Sequence, residues 1–299
     1  MEYKQIIYQP GAVTRIVLNR PRYRNAQSTR LINELDDAFR RAGSDPDVRV
    51  IVLSGAGESF SAGHDIGTPE ELEDRERWMA SPSRLDRYVR QRQLYVEASL
   101  RWRNVPRPTI AMVHGYCIFG GWIFAASMDL VFAASDALFL PSNLQYFSAP
   151  WDIGPKKAKE ILFEGRFITA REAQDLGFVN RIYPPEELER ETLAYAERVA
   201  ARGPVGPCMT KFMVNNTLDT MGYSASVEAG FQTYAFTGFP EAAPDMRRRE
   251  GQKRQLPGVG YALELLKQGI PARNGAAPGA GPASDAPRPA TPAAAGEQP

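Results

Sequence analysis

Two short apolar runs constrain this chain more than any other feature: VRVIVLSGAG, which starts at Val48, and TIAMVHGY, which starts at Thr109. Each has the length of one strand, and an uninterrupted apolar run of that length belongs to a strand buried on both faces. Such a strand needs helices to cover it. The sequence around the first run supplies them: GAVTRIVLNRP alternates as a strand should and stops at Pro21, and STRLINELDDAFRRAG sets Leu31, Leu35, Phe39 and Ala42 on one helical face behind a Ser or Thr cap. The order strand, helix, strand implies a parallel α/β core.

A second unit repeats the logic. A charged insert from Glu70 to Arg92 and an amphipathic stretch ending near Trp102 lead into RPTIAMVHGYCIFGGWIFAASMDLVFAASDALFLP, which reads as strand, glycine turn, short helix, strand, strand. Helical patterns then dominate: GPKKAKEILFEG, the stretch closed by Gly177, the segment from Pro184 to Gly203 with Leu188, Leu193, Ala196 and Val199 inward, and most of Pro204 to Leu266. The sequence thus divides into an α/β core over 1–203, a helical region over 204–271, and a tail over 272–299. The tail consists of Ala, Pro and Gly with a few polar residues, too little apolar surface to offset the entropy of ordering, so it is expected to be disordered.

Composition excludes several function classes. The 36 Lys and Arg balance 35 Asp and Glu, so no global field attracts nucleic acid, and the cluster DMRRRE from Asp245 to Glu250 reads as a solvated helix face. Cys117 and Cys208 are the only cysteines; far apart among apolar neighbours, they fit neither a disulfide framework nor a metal site. With no apolar signal core at the start and no apolar stretch long enough to span a bilayer, the expected setting is the reducing cytoplasm, with no membrane partner.

Each buried strand runs into glycines. FSAGHD follows the first, and GYCIFGGW follows the second and opens a helix near Gly120. One glycine after a strand is usually only a turn. Two such motifs together are different, because a helix start presents unpaired N–H groups and a positive dipole end. A second N–H from the His64 peptide would make an oxyanion hole of the pair. The other histidine, His114, sits inside IAMVHGY and reads as a satisfied core residue.

The segments LNRPRYRNAQS, SGAGESFSAGHDI, RPTIAMVHGYCIFGG, MDLVFAASDALF and ITAREAQDLGFVNRI, in this order and spacing, resemble the enoyl-CoA hydratase/isomerase family of the crotonase superfamily. The resemblance runs from about Val13 to about Pro257. It implies a spiral of strand-strand-helix repeats and a helical C-terminal region that assembles a homotrimer or a dimer of trimers. It also implies an acyl-CoA substrate, with coenzyme A as part of that substrate and no separate cofactor or metal. The amides of His64 and Gly120 correspond to the donors that hold a thioester enolate, which makes the His64 side chain incidental and its N–H functional. Arg24, Asn25 and Ala26 correspond to the loop that approaches the nucleotide, and Ala62, Asp65 and Ile66 flank the adenine and pantetheine path. Asp65 also reads as a helix cap. Lys253, in EGQKRQLPG, corresponds to a lysine that reaches a CoA phosphate.

The resemblance fails at two positions. Where hydratases of the family carry a pair of glutamates that move the proton of water, this chain has Ile123 and Asn143, and Phe124 follows. Three readings remain: an acyl-CoA enzyme whose acid or base is Asp152, Tyr146, Glu70 or Glu71; a decarboxylase, since FSAGHDI and the segment Ser142 to Leu144 resemble methylmalonyl-CoA decarboxylase; or an inert acyl-CoA binder. Asp152 reads equally as an N-cap for a helix beginning near Gly154. Trp122, Phe124, Phe139, Tyr146, Phe147 and Trp151 are expected around the acyl pocket and suit a bulky or cyclic acyl group.

Overall fold

The computed structural model describes residues 2–78, 83–236 and 257–270. Lys253, the DMRRRE cluster and the tail lie outside these residues. The chain opens with an antiparallel pair, β1 (Ile6–Gln9) and β2 (Val13–Leu18), and continues through α1 (Thr29–Ser44) to β3 (Val50–Gly55). Ser28 caps α1 by accepting from the Leu31 N–H, and α1 buries Leu31, Leu35, Phe39 and Ala42 as their spacing requires.

The charged insert is helical. It holds α2 (Pro69–Trp78), then α3 (Arg84–Gln91), a π-helical segment Arg92–Glu97, and α4 (Ala98–Arg103). Next come β4 (Thr109–Val113), β5 (Tyr116–Ile118), α5 (Gly120–Ala126), β6 (Leu130–Ala134) and β7 (Leu138–Leu140). They are followed by α6 (Ala149–Asp152), α7 (Pro155–Glu164), β8 (Ile168–Thr169), α8 (Ala170–Asp175), β9 (Arg181–Tyr183) and α9 (Pro185–Ala200). Three helices complete the described chain: α10 (Val205–Thr220), α11 (Tyr223–Phe236) and α12 (Pro257–Lys267).

The main sheet has the order β1-β2-β3-β4-β6-β9, parallel throughout except at β1. Residues 50–54 of β3 and all five of β4 are buried, as their unbroken apolar runs demand, with α9 laid along β2, β3, β4, β6 and β9. A small second sheet, β5-β7-β8, lies beyond the ends of the main strands. Each turn of the chain therefore passes from a long strand to a short one and into a helix: β4, β5, α5, then β6, β7, α6. Ser61, bridged in parallel to Cys117, continues the short sheet for the turn that begins at β3. This is the strand-strand-helix spiral.

Two local expectations are corrected. Asp152 does not cap the helix behind it; it ends α6, and α7 starts from Gly154, whose φ of 78° suits glycine, without a side-chain cap. His114 is half-buried rather than core, because it lies just past the end of β4, where its Nε2 sits 2.8 Å from the Gly57 carbonyl oxygen. Trp122, Phe124 and Phe139 belong to the main core, where Trp122 stacks on Phe178 at 3.7 Å.

Candidate active site

The site begins where the two glycine motifs meet. Ser61 donates its N–H to Tyr116 and receives that of Ile118, both at 3.0 Å, which draws the segment after β3 alongside β5. Gly63 then comes so close to α5 that a Cβ on it would lie 2.7 Å from the Ile118 carbonyl oxygen and 3.3 Å from the Gly120 nitrogen. Only glycine permits that approach. Gly120 is the first residue of α5, so its N–H has no intrahelical acceptor.

On the other side, Gln27 pairs with the strand around His64. Its N–H reaches the Gly63 carbonyl at 2.8 Å, and the Asp65 N–H reaches its carbonyl at 3.0 Å. Because successive N–H groups alternate along extended chain, the His64 N–H faces away from Gln27.

The His64 ring is held on both sides. Its Nδ1 lies 3.0 Å from Gln27 Oε1, its Nε2 lies 2.9 Å from Gln145 Oε1, and its face meets the Tyr95 ring at 4.4 Å. Tyr95 comes from the π-helical segment, a distortion that often marks a functional helix. A Cβ on Gly120 would stand 2.7 Å from His64 Nδ1 and 2.2 Å from Gln27 Oε1, so this polar chain closes over the helix start. Gln145 extends it to α11 by donating to the Tyr234 hydroxyl at 3.2 Å. Gln27, Gln145 and Tyr95 were not anticipated, and no spacing rule singles out a glutamine two residues after Asn143.

The loop residues divide into surface and scaffold. Arg24 is exposed in a left-handed conformation, and its carbonyl accepts the Ala62 N–H at 2.8 Å; Ala26, Ala62 and Ile66 are half-buried nearby. Asn25 is fully buried: its amide nitrogen donates to the Ala56 and Ser59 carbonyls, and its oxygen accepts from the Arg20 N–H. Asp65 is buried too. Burial raises its carboxyl, but hydrogen bonds from Thr68, Gly67 and Arg20 outweigh that and hold it below the usual carboxylate range. Both side chains therefore serve the loop itself. Arg20, which sequence reasoning passed over, is the buried cation that ties it together.

The acid-base candidates separate clearly. Glu71 accepts the Thr29 N–H at 2.7 Å and so caps α1, while Glu70 joins Arg20. Neither is brought to the glycine pair by these contacts. Asn143 is exposed, and Ile123 is buried among Val96, Tyr146, Tyr223, Val227 and Phe231.

Asp152 lies at the end of α6. Its Oδ2 accepts from Trp122 Nε1 at 2.9 Å and from Ser148 Oγ at 2.6 Å. Burial pushes it up to about 7, against those two hydrogen bonds, although the residue keeps an exposed edge on a cavity of about 620 Å³. That cavity opens toward α10 and the starts of β4 and β6, away from the glycine pair; Trp151, Tyr223 and Arg103 line it beside Asp152. Tyr146 is fully buried, its hydroxyl 2.8 Å from that of Tyr223. Trp151 donates to Ser226 at 2.7 Å and lies against the Tyr223 ring.

A family model described as enoyl-CoA hydratase/isomerase matches residues 9–237. The chain is 35% identical over 258 residues to EchA13 of Mycobacterium tuberculosis, a protein carrying the name of an enoyl-CoA hydratase, covering 78% of this chain and 80% of that one. Two crystal structures, each described as a probable enoyl-CoA hydratase, share the fold. That from Mycobacterium thermoresistibile is 40% identical with a TM-score of 0.72, over 80% of this chain and 98% of its own. That from Mycobacterium smegmatis is 38% identical with a TM-score of 0.73, over 81% and 96%. With its spiral fold and its paired glycine turns, the chain belongs to the enoyl-CoA hydratase/isomerase family of acyl-CoA enzymes.

Proposed function

We propose that the protein forms an enolate from an acyl-CoA thioester, held by the N–H groups of His64 and Gly120. The observation that carries this reading is the close approach of Gly63 to the Gly120 nitrogen, which supports a pair of backbone donors at that turn. Fixed donors suit a reaction in which charge grows on oxygen, because they bind the transition state more strongly than the ground state.

Ile123 offers no acid, and Asn143 faces solvent, so hydration by a glutamate pair is not supported. Enolate chemistry without water addition, as in isomerisation or decarboxylation, fits better. Exposed Arg24 offers a cation at the loop where a nucleotide would lie. The test is incubation with a panel of enoyl-, malonyl-type and cyclic acyl-CoAs, reading product masses. Any mass change abolished by Gly120→Pro supports the reading; binding without conversion of any thioester overturns it in favour of an inert binder.

A further inference from the structure

Phe119 stands immediately before the first glycine of α5 with φ 46° and ψ −98°. This is glycine's territory, and a side chain held there costs strain that its surroundings must offset. Among the described residues, only Arg24 and Asn25 share a positive φ without being glycine. The backbone of Phe119 is bound on both sides: its N–H donates to the Leu140 carbonyl at 2.9 Å, and its own carbonyl accepts from Ile123 at 3.2 Å. Its side chain reaches in two directions. A Cβ on Gly63 would lie 3.4 Å from Phe119 Cβ, and a Cβ on Gly258, in α12, would lie 3.4 Å from Phe119 Cζ. Phe119 and Val259, Leu263 and Leu266 of α12 all pack against one buried cluster of Ile118, Leu140, Phe167 and Ala262.

We propose that Phe119 is a positioning residue for the oxyanion hole: its ring, clamped by α12, holds a strained turn that aims the Gly120 N–H. The C-terminal helix thereby sets how strongly a bound thioester is polarised. This rests on the reading of His64 and Gly120 as oxyanion donors, and the test separates the two. Butyryl-CoA, a saturated probe, is bound to the full-length protein, and the fall in its thioester carbonyl stretch is read by difference infrared spectroscopy. Glycine adopts φ 46° freely and alanine does not. Phe119→Gly should therefore keep most of the wild-type shift, while Phe119→Ala, which removes less of the side chain, should lose roughly half or more of it. A residue that merely fills space would give the opposite order.

Leu263→Ala supplies a second arm. Loosening the clamp should reduce the shift in the wild-type background but not in Phe119→Gly, where no strain remains to be held. If Phe119→Ala does not fold, Phe119→Leu takes its place and should fall between wild type and the loss expected for alanine. An unshifted carbonyl in the wild type sinks the oxyanion reading itself. A shifted wild type with alanine equal to or better than glycine, or with Leu263→Ala acting equally in both backgrounds, sinks the role of Phe119 alone.

Discussion

Asp152 carries the sharpest expectation at the scale of single residues. Its folded value near 7 lies above that of an unfolded aspartate, so between about pH 4 and pH 7 the folded state holds a proton that the unfolded state has lost. Stability must then fall as pH rises through that window, by at most about 1.4 kcal/mol per pH unit for one proton. Denaturant titrations should show this slope in the wild type and lose it in Asp152→Asn, which keeps the acceptor for Trp122 and cannot ionise. An unchanged slope would place the proton elsewhere. Gly120→Ala is the companion test: with Gln27 Oε1 only 2.2 Å and His64 Nδ1 2.7 Å from the new Cβ, the Gln27–His64 pair or the helix start must shift, and turnover should drop by about 10²–10³ while the chain stays folded by circular dichroism. Much of this site was legible. Gly63, His64 and Gly120 announce themselves by following buried strands, and backbone donors need only the right turn. The ring partners of His64 do not, since Gln27 and Gln145 lie in irregular segments whose side-chain directions follow no period.

At the scale of elements, the loop beneath the site depends on one buried ion pair. Arg20 and Asp65 meet at 2.8 Å with side chains 3% and 1% exposed, and Asp65 also fixes the amides of Gly67 and Thr68 ahead of α2. Asp65→Ala would leave the Arg20 guanidinium buried with only Glu70 as a charged partner, at a cost of about 3 kcal/mol. Urea unfolding should read that loss as a lower midpoint with an unchanged slope. A loss near zero would mean that Glu70 and the Ala26 carbonyl suffice for Arg20. Elements that follow a period were readable in the chain: α1 through its apolar stripe and Ser28 cap, β3 and β4 through unbroken burial. The small sheet was less so. Its strands are two or three residues long, too short for any pattern, and exist because the spiral brings β5 beside β7. The π-helical segment was equally hidden, since its side chains pass for those of an ordinary helix.

At the scale of the whole molecule, an apolar surface along α10 stays uncovered among the described residues. Val205, Met209, Phe212 and Met213 recur at helical spacing on its outer side and are 72%, 53%, 43% and 68% exposed, while the inner side is pinned by Lys211 to Asp129 at 2.9 Å and by the Asn215 carbonyl to Arg103. Exposed apolar residues scattered singly mean little, but a stripe along one anchored helix needs a cover. We propose further copies of the chain as that cover, because a heterologous contact repeated by a rotation that closes makes a ring. Light scattering should therefore find three chains of 33.1 kDa, or twice that number, in the wild type. Met209→Glu with Met213→Glu should shift the mass toward one chain. The protomer should keep its helical circular dichroism, since both side chains already face water in the single chain. Removing residues 272–299 should change nothing, as that composition has no apolar face to bury. A wild type of 33.1 kDa, or a double variant whose mass does not fall, would show that α10 is not the seam between copies.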